Sequence, residues 1–401
     1  MLRRGSVAAV AAMFWLCCSS VALADSEQSE TPDKFFNPLE ITTPDPLLPR
    51  SVVDKPLSPQ ERQNLAAALN ELNQQAQAKL KAGDRVGAFE IWNRELRLRR
   101  ALGSLEEVQA LGRVGAIAWS ENQRTEVQII TSRLQAIQQQ AQSQPPVNLK
   151  LLQALGQAYQ QVRSPKQALE VYNQILAVVR QRDSAAQEAT LKTIAELHLS
   201  WFDYPSSAAT YEELLGFAKA KGDRASSVRY MQQLAYIYDQ AKQYQQAVAV
   251  KQQLAEFYLN ERQFTELPAL RLAIASNYES LGQLKQAFDN YQEAYASAWS
   301  LQQYYRASEA LRNLIALYRS RGQIDEALQT SKILLEAERL AANAYGLMNT
   351  YEQMGQIYRE RGDYPKALAA FQNGLELAQQ LKYQETYFAQ QISQLTKQIA
   401  Q

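Results

Sequence analysis

Few side chains of this chain could carry out catalysis. His198 is the only histidine, and Cys17 and Cys18 are the only cysteines. A general base or a metal ligand needs partner groups, and the sequence places none for His198. The acidic pairs Glu106-Glu107 and Glu212-Glu213 are adjacent in sequence, and adjacent residues on a helix do not face each other. The sequence therefore predicts a protein that is not an enzyme.

Sequence motifs for nucleotides, cofactors and nucleophilic serines are also absent. The chain contains no G-x-S-x-G, no G-x-x-x-x-G-K-[ST] and no G-x-G-x-x-G. Its 42 basic residues nearly balance its 41 acidic residues, which leaves a formal charge of +1. A charge this small provides no electrostatic surface for nucleic acid. We expect no cofactor, no metal and no nucleic-acid partner.

Residues 1–24 have the pattern of a secretory signal peptide. Two arginines near the start precede an apolar run from Val7 to Leu16, and Ala22-Leu23-Ala24 ends the segment. We predict cleavage after Ala24 and export to a periplasm, a thylakoid lumen or the extracellular space. The alternative is an uncleaved membrane anchor. Both cysteines lie in this segment, so cleavage would leave a protein without thiols.

Residues 25–57 form an acidic segment that is rich in proline. Six of the 13 prolines fall here, together with seven acidic and three basic residues, for a net charge of −4. Proline at this density prevents a regular helix and favours extended backbone. The segment is predicted to be a linker. Its apolar residues allow an alternative in which it docks on the rest of the chain or on a partner, and these are Phe35, Phe36, Leu39, Ile41, Leu47 and Leu48.

The remaining sequence contains one pattern that recurs in near-constant register. In the clearest copy the pattern consists of Gly355, Tyr358, Gly362, Tyr364, Ala367 and Phe371. Equivalent positions recur through the chain, in eight units that begin near Leu69, Gln109, Leu149, Glu188, Val228, Pro268, Ser308 and Met348. Residues 383–401 look like one more first helix. A repeat of this length predicts stacked helix pairs, and the last helix would be a cap.

This pattern of small residue, tyrosine, glycine, alanine and aromatic residue resembles the tetratricopeptide repeat family over about residues 69–401. The period is about 40 residues, which is longer than the roughly 34 residues of the common repeat. The resemblance implies an all-α superhelical solenoid of about eight helix pairs over residues 58–401, with a right-handed twist and about one superhelical turn. Gly282, Gly322 and Gly362 are expected to end first helices, because glycine adopts the left-handed conformation that often follows a helix.

Several sequence signals mark helix starts. Ser58-Pro59-Gln60-Glu61 and Ser104-Leu105-Glu106-Glu107 both have the spacing of a capping box. Ser164-Pro165 places proline at a first helical position, and Pro145-Pro146 predicts a loop between two units.

In the family, certain positions of the first helices line a concave groove that binds peptides. Carried over to this chain, they give six residues that the resemblance assigns to the middle of the groove: Lys150, Gln153, Lys192, Arg229, Gln232 and Tyr236. Such a basic surface with one aromatic residue would bind a carboxylate or an acidic extended peptide. Arg312 and Arg319 are further groove candidates. They could also form ion pairs across the groove with Glu279 and Glu352 on adjacent helices.

A second basic cluster lies on the second helix of the first unit, and it consists of Arg94, Arg97, Arg99 and Arg100. The cluster could be a solvated helix face, a contact for anionic lipid, or a contact for the acidic segment 25–57. The sequence as a whole predicts an exported scaffold that binds a protein or peptide, with an acidic one as a candidate, in its groove and assists assembly or localisation of a complex. The alternative is a membrane-anchored structural subunit whose groove is occupied by its own segment 25–57.

Overall fold

In the computed structural model of the chain, the described residues are 37–41, 43–48, 56–143, 146–180 and 182–400. They contain seventeen α-helices and no strand. In chain order the helices are α1 Pro59–Lys81, α2 Arg85–Arg99, α3 Ser104–Ser120, α4 Arg124–Ser143, α5 Leu149–Gln161, α6 Pro165–Val179, α7 Ser184–Ser200, α8 Tyr204–Lys221, α9 Arg224–Gln240, α10 Tyr244–Asn260, α11 Leu267–Ser280, α12 Leu284–Ser300, α13 Tyr304–Ser320, α14 Ile324–Leu340, α15 Ala344–Glu360, α16 Tyr364–Leu381 and α17 Glu385–Ile399. Odd-numbered helices are the first helices of eight pairs, and α17 follows as a single helix, so the predicted all-α repeat is confirmed.

The chain divides into two compact units, one ending at Leu102 and the other beginning at Gly103. The first unit contains the pair α1–α2. Helix α1 begins with the predicted capping box: the Ser58 hydroxyl accepts the Glu61 N–H at 3.3 Å, and the Glu61 carboxylate accepts the Ser58 N–H at 2.8 Å. An apolar cluster between the two helices consists of Leu65, Leu69, Leu72, Leu98 and Leu102.

Part of the acidic segment packs onto this first pair. Pro38–Glu40 form a short 3₁₀ helix that contacts α2, and Leu39 is buried. Leu47 and Leu48 pack against the apolar cluster of α1 and α2. The docking alternative is therefore correct for these residues, because burial of their leucines offsets the cost of ordering them. Phe35, Phe36 and the signal-peptide prediction lie outside the described residues.

The basic cluster on α2 is not a solvated face. Arg94 forms an ion pair with Asp45 at 2.8 Å, and Arg97 donates a hydrogen bond to the carbonyl of Pro38 at 2.7 Å. Arg99 is buried and pairs with Glu95 at 3.0 Å. The sequence allowed three interpretations of this cluster. For Arg94 and Arg97 the structure supports the third, a contact with the acidic segment.

The second unit contains seven helix pairs and α17. Most helices pack against the next helix in the chain. Helix α3 contacts α4 and also packs directly on α5, through two glycines. A Cβ at Gly112 would lie 3.0 Å from the Cα of Ala158, and one at Gly115 would lie 2.3 Å from Cγ1 of Val162. The missing side chains thus allow the close approach of these two helices.

Within the pairs, a small residue of the first helix faces an aromatic residue of the second. A Cβ at Gly355 would lie 2.9 Å from the Phe371 ring, and one at Gly156 would lie 2.8 Å from the Tyr172 ring. Phe371 is fully buried, as is the repeated alanine at Ala367. The spacing of small and aromatic residues in the sequence is therefore a packing pattern within each pair.

The helix ends of the second unit recur at half the length of the sequence repeat. Left-handed residues follow one another at this constant interval from Phe202 onwards, at Phe202, Gly222, Lys242, Arg262, Gly282, Gln302, Gly322, Ala342, Gly362 and Lys382. The backbone hydrogen bonds also repeat. The N–H of the residue after the left-handed one binds the carbonyl five residues earlier, as in Gln283 to Tyr278 at 2.8 Å and Gln303 to Ala298 at 2.8 Å. This is the Schellman motif, and it closes first and second helices alike.

Helix starts in this unit differ in quality. Asp203, Asp223 and Asp363 accept N–H bonds from the first turns of α8, α9 and α16. Five helix starts instead have glutamine at the N-cap without a side-chain hydrogen bond, at Gln243, Gln263, Gln283, Gln303 and Gln323. The capping box predicted at Ser104 is wrong. Gly103 is the N-cap of α3, with φ of 105°, and Ser104 is already helical.

Candidate binding surface

Helices α5, α7 and α9 each carry a line of exposed side chains. On α7 and α9 the exposed positions are spaced by four, three and four residues, which places them on one helix face. They are Ala185, Ala189, Lys192 and Glu196 on α7, and Ala225, Arg229, Gln232 and Tyr236 on α9. Helix α5 continues the spacing with Lys150, Gln153 and Gln157. We call this set of residues on α5, α7 and α9 the odd-helix stripe.

All six residues predicted for the middle of the groove lie in the odd-helix stripe, and all are exposed. Lys150, Gln153 and Tyr236 make no hydrogen bond or ion pair with other residues that the structure describes. Arg229 donates to the hydroxyl of Ser226 at 3.3 Å. The spacing thus identified side chains that are open to solvent, while their role in binding stays a prediction.

Two more of the predicted groove residues have partners on the protein itself. Lys192 lies 3.7 Å from Glu196, one turn along the same helix, and both side chains are more than half exposed. An exposed pair of this kind contributes little, so Lys192 can exchange Glu196 for another anion. Gln232 donates to the Tyr258 hydroxyl at 2.9 Å, which joins α9 to α10.

Arg312 and Arg319 have partners other than those considered from the sequence. Arg312 pairs with Glu338 of α14, which is fully buried. Arg319 lies 3.8 Å from Glu360. Glu279 instead accepts a hydrogen bond from Tyr291 at 3.0 Å, and Glu352 accepts one from Tyr387 at 2.9 Å. The proposed pairing of these arginines with Glu279 and Glu352 is therefore wrong, since each carboxylate binds a tyrosine of a packed helix.

Several side chains near the end of the odd helices bind a residue 12 positions later, on the following even helix. Gln160 donates to Tyr172 at 3.0 Å, and Tyr291 donates to Glu279 at 3.0 Å. Burial, with the charge of Glu279 as a further cause, raises the pKa of Tyr291 well above its usual range, so its hydroxyl stays a donor. Residues at this repeat position therefore contribute to packing within the pair.

The same position carries a charged network between α9 and α10. Lys251 stands where other repeats have Tyr172, Tyr211, Tyr291 or Phe371, and its side chain is 6% exposed. Its ammonium lies 2.9 and 2.7 Å from the two carboxylate oxygens of Asp239 and 2.6 Å from Oδ1 of Asn277 on α11. Asn277 also donates to Asp239 at 2.9 Å. This network links three consecutive helices, and its only sign in the sequence is a lysine at an aromatic position.

His198 has a partner that the sequence analysis did not identify. Its Nδ1 lies 2.8 Å from the carboxylate of Asp203, the N-cap of α8. Burial acts to raise the pKa of Asp203, but hydrogen bonds from Ser206 and the charge of His198 together lower it. The carboxylate is thus committed to the start of α8, and the pair is part of a helix cap.

The part of the chain that the structure describes contains neither a cluster of metal ligands nor a membrane-spanning helix. Within it, no group of three or more metal-binding side chains comes together. None of its helices combines the length and the apolar character that are needed to cross a bilayer.

A comparison with known protein families gives a match over part of the chain. Residues 306–380, which cover nearly all of α13–α16, match the model of the tetratricopeptide repeat. No curated protein matches the chain. A crystal structure of BtubC (BKLC) from P. vanneervenii is 20% identical, with a TM-score of 0.38 over 56% of this chain and 91% of that one. A crystal structure of MamA protein is 17% identical, with a TM-score of 0.35 over 48% of this chain and 92% of that one. A crystal structure of Rap protein complexed with competence and sporulation factor is 15% identical, with a TM-score of 0.32 over 84% of this chain and 99% of that one.

Proposed function

We propose that this chain, whose residues 306–380 match the tetratricopeptide repeat, is a non-enzymatic scaffold that binds a protein or peptide along the odd-helix stripe. The observation that carries the proposal is the set of exposed polar side chains at equivalent positions of α5, α7 and α9. Side chains at matched positions on neighbouring helices can contact one extended ligand at several points. Each contact is weak alone, and together they provide affinity.

The charge of the stripe indicates the kind of ligand. Lys150, Lys192 and Arg229 lie on three successive odd helices, and the acidic residue among the exposed stripe positions is Glu196. Tyr236 is 51% exposed and offers an aromatic surface next to Gln232 on α9. An acidic extended segment fits this arrangement, because its carboxylates would accept charge-assisted hydrogen bonds.

The site of action follows from the N-terminal segment. Residues 1–24 have the basic start, apolar middle and A-x-A end of a signal peptide. We therefore place the scaffold on the far side of a membrane, where it assists the assembly or localisation of the proteins it holds. A mature N-terminus at Asp25 in a soluble fraction is the expected result of N-terminal sequencing.

The test of binding is a charge reversal in the stripe. The double variant Lys192→Glu/Arg229→Glu should lose at least tenfold in capture of its partner from detergent-solubilised native extract, with unchanged helix content by circular dichroism. The matched control is Lys166→Glu/Lys332→Glu, which has the same change in charge at exposed positions on even helices. Equal loss in both variants would indicate non-specific charge attraction, and undiminished capture by the stripe variant would reject the assignment.

The second candidate is a membrane-anchored structural subunit that keeps its N-terminal segment. The sequence allowed segment 25–57 to fill the groove of such a subunit. Pro38–Glu40, Leu47 and Leu48 instead contact the pair α1–α2, and Arg94 of an even helix binds Asp45. This candidate now depends on the anchor alone, and retention of residues 1–24 in a membrane fraction would favour it.

A further inference from the structure

The part of the acidic segment that packs on α1–α2 contains the same turn twice. Asn37-Pro38-Leu39 and Asp45-Pro46-Leu47 share an Asx-Pro-Leu sequence, eight residues apart. In each turn the Asx side chain accepts the N–H of the leucine at 3.0 Å. In each turn, the backbone carbonyl of the Asx residue also accepts a hydrogen bond from the N–H of the residue three positions later, at 3.0 Å. Two copies of one local structure thus present two leucines from a short segment.

Each turn has its own apolar contact. Leu39 is 1% exposed, although it belongs to a 3₁₀ helix of only three residues. Leu47 and its neighbour Leu48 pack against the cluster that includes Leu65 and Leu98. Leu39 is thus withdrawn from water and Leu47 and Leu48 are partly buried, so burial of apolar surface attracts the segment to the helix pair.

Each turn also has its own arginine, and the two arginines are one turn apart on α2. Arg94 donates two hydrogen bonds to Asp45, at 2.8 and 2.9 Å. Arg97 donates to the Pro38 carbonyl at 2.7 Å. The hydrogen bonds of Arg94 are the largest cause that lowers the pKa of the Asp45 carboxyl. Each of the two tandem turns thus has its own apolar contact and its own arginine. Together these groups form a site that recognises a peptide with Asx-Pro-Leu turns.

We propose that this surface, formed by Leu65, Leu69, Leu98, Arg94 and Arg97 and here called the turn site, is a peptide-binding site for acidic segments with Asx-Pro-Leu turns. Residues 37–41 and 43–48 occupy it within the chain. A segment of a partner protein with the same turns replaces them. The turn site is separate from the odd-helix stripe, and its existence does not depend on the function proposed for that stripe.

The strength of the contact suits exchange. The Arg94 side chain is 37% exposed, and a partly exposed ion pair is weak enough for Arg94 to exchange Asp45 for another carboxylate. The occupant is a short segment held by two turns, without a helix of its own longer than three residues. Attachment to the same chain gives it an effective concentration in the millimolar range, so a partner segment replaces it only where the product of its own concentration and its intrinsic affinity is larger than that of the internal segment.

The test uses the full chain and a fluorescent peptide with the sequence of residues 37–48. The variant Leu39→Ala/Asp45→Ala weakens the internal segment and should bind the peptide at least tenfold more tightly than the unaltered protein does. Adding Arg94→Ala to this variant should abolish that gain. A peptide that carries the same two alanines is the matched control and should not bind. Equal binding to the variant and to the unaltered protein, or binding that ignores Arg94, overturns the proposal.

A second measurement on the unaltered protein guards against a variant that fails to fold. The amides of Leu39 and Leu47 should exchange with deuterium at least tenfold faster than the interior amides of α2, because the segment leaves while the helices stay folded. Exchange at the same rate would show that the segment is an integral part of the helix pair. Loss of helix content in the milder variant Asp45→Asn would show the same, and either result overturns the proposal.

Discussion

The charged network at Lys251 provides a quantitative test of how the repeats are held together. We predict that Asp239→Ala destabilises the protein by about 2–3 kcal/mol. The substitution leaves the Lys251 ammonium, whose side chain is 6% exposed, with Asn277 as its remaining partner in the network. A buried ion that loses its counter-ion usually costs about 3–5 kcal/mol. The Asp239 side chain is 34% exposed, so water partly replaces it and the expected cost is lower.

The reverse substitution should be milder. Lys251→Met keeps the volume of the side chain and removes the buried charge, while the partly exposed Asp239 stays hydrated and bound to Asn277. We expect a cost below about 1 kcal/mol. Removing the whole network with Asp239→Ala, Lys251→Met and Asn277→Leu should give a protein more stable than Asp239→Ala alone, because no buried polar group is left without a partner.

The assay is urea unfolding followed by far-ultraviolet circular dichroism. Midpoints are comparable only where the slope against urea stays constant, which is a necessary check for a repeat protein. If Asp239→Ala and Lys251→Met cost the same, burial of the ammonium is not the dominant effect. If the triple variant is the least stable, the network is a net source of stability, and the reasoning above is refuted.

Two further predictions concern helix contacts and helix ends, and both use the same unfolding assay. Gly115→Ala should destabilise by about 1–3 kcal/mol, because the new methyl would meet Val162, whereas Gly216→Ala on α8 has open space and should be neutral or stabilising. A larger loss at Gly216 would contradict the packing argument. Gln283→Asp should stabilise by about 0.5–1 kcal/mol, because it supplies the missing cap of α12, while Gln292→Asp in the middle of that helix should not. No difference between these two variants would show that the cap is already satisfied.

Most of the helical framework could be predicted from the sequence. The repeated positions of Tyr358, Ala367 and Phe371 defined the helix pairs and the last helix, because small and aromatic residues meet where helices cross. The recurrence of helix ends at half the repeat length was missed. Glycine marks the turns at Gly282 and Gly322, but Arg262 and Gln302 occupy equivalent left-handed positions without any signal in their residue type. The Schellman hydrogen bonds impose that conformation there.

The candidate binding surface was only partly predictable. Spacing alone identified Lys150, Arg229 and Tyr236 as exposed, since one helix face follows from periodicity. Periodicity did not predict which residues the charged side chains pair with. Arg312 pairs with Glu338 of the following helix, and this pairing depends on how α13 and α14 lie against each other. Contacts between helices require the register of the pair, which no local pattern encodes.

From Phe202 onwards the turns are equally spaced, so a single helix, together with the turn that ends it, is the smallest interchangeable part of the chain. Consecutive helices alternate in direction, so removal or insertion of one such segment would reverse every helix that follows and exchange the inward and outward faces. Removal or insertion of a whole helix pair would preserve both the directions of the helices and their faces. The chain can therefore lengthen or shorten in steps of two helices without disturbing the surfaces on either side, whereas a step of one helix would reverse them.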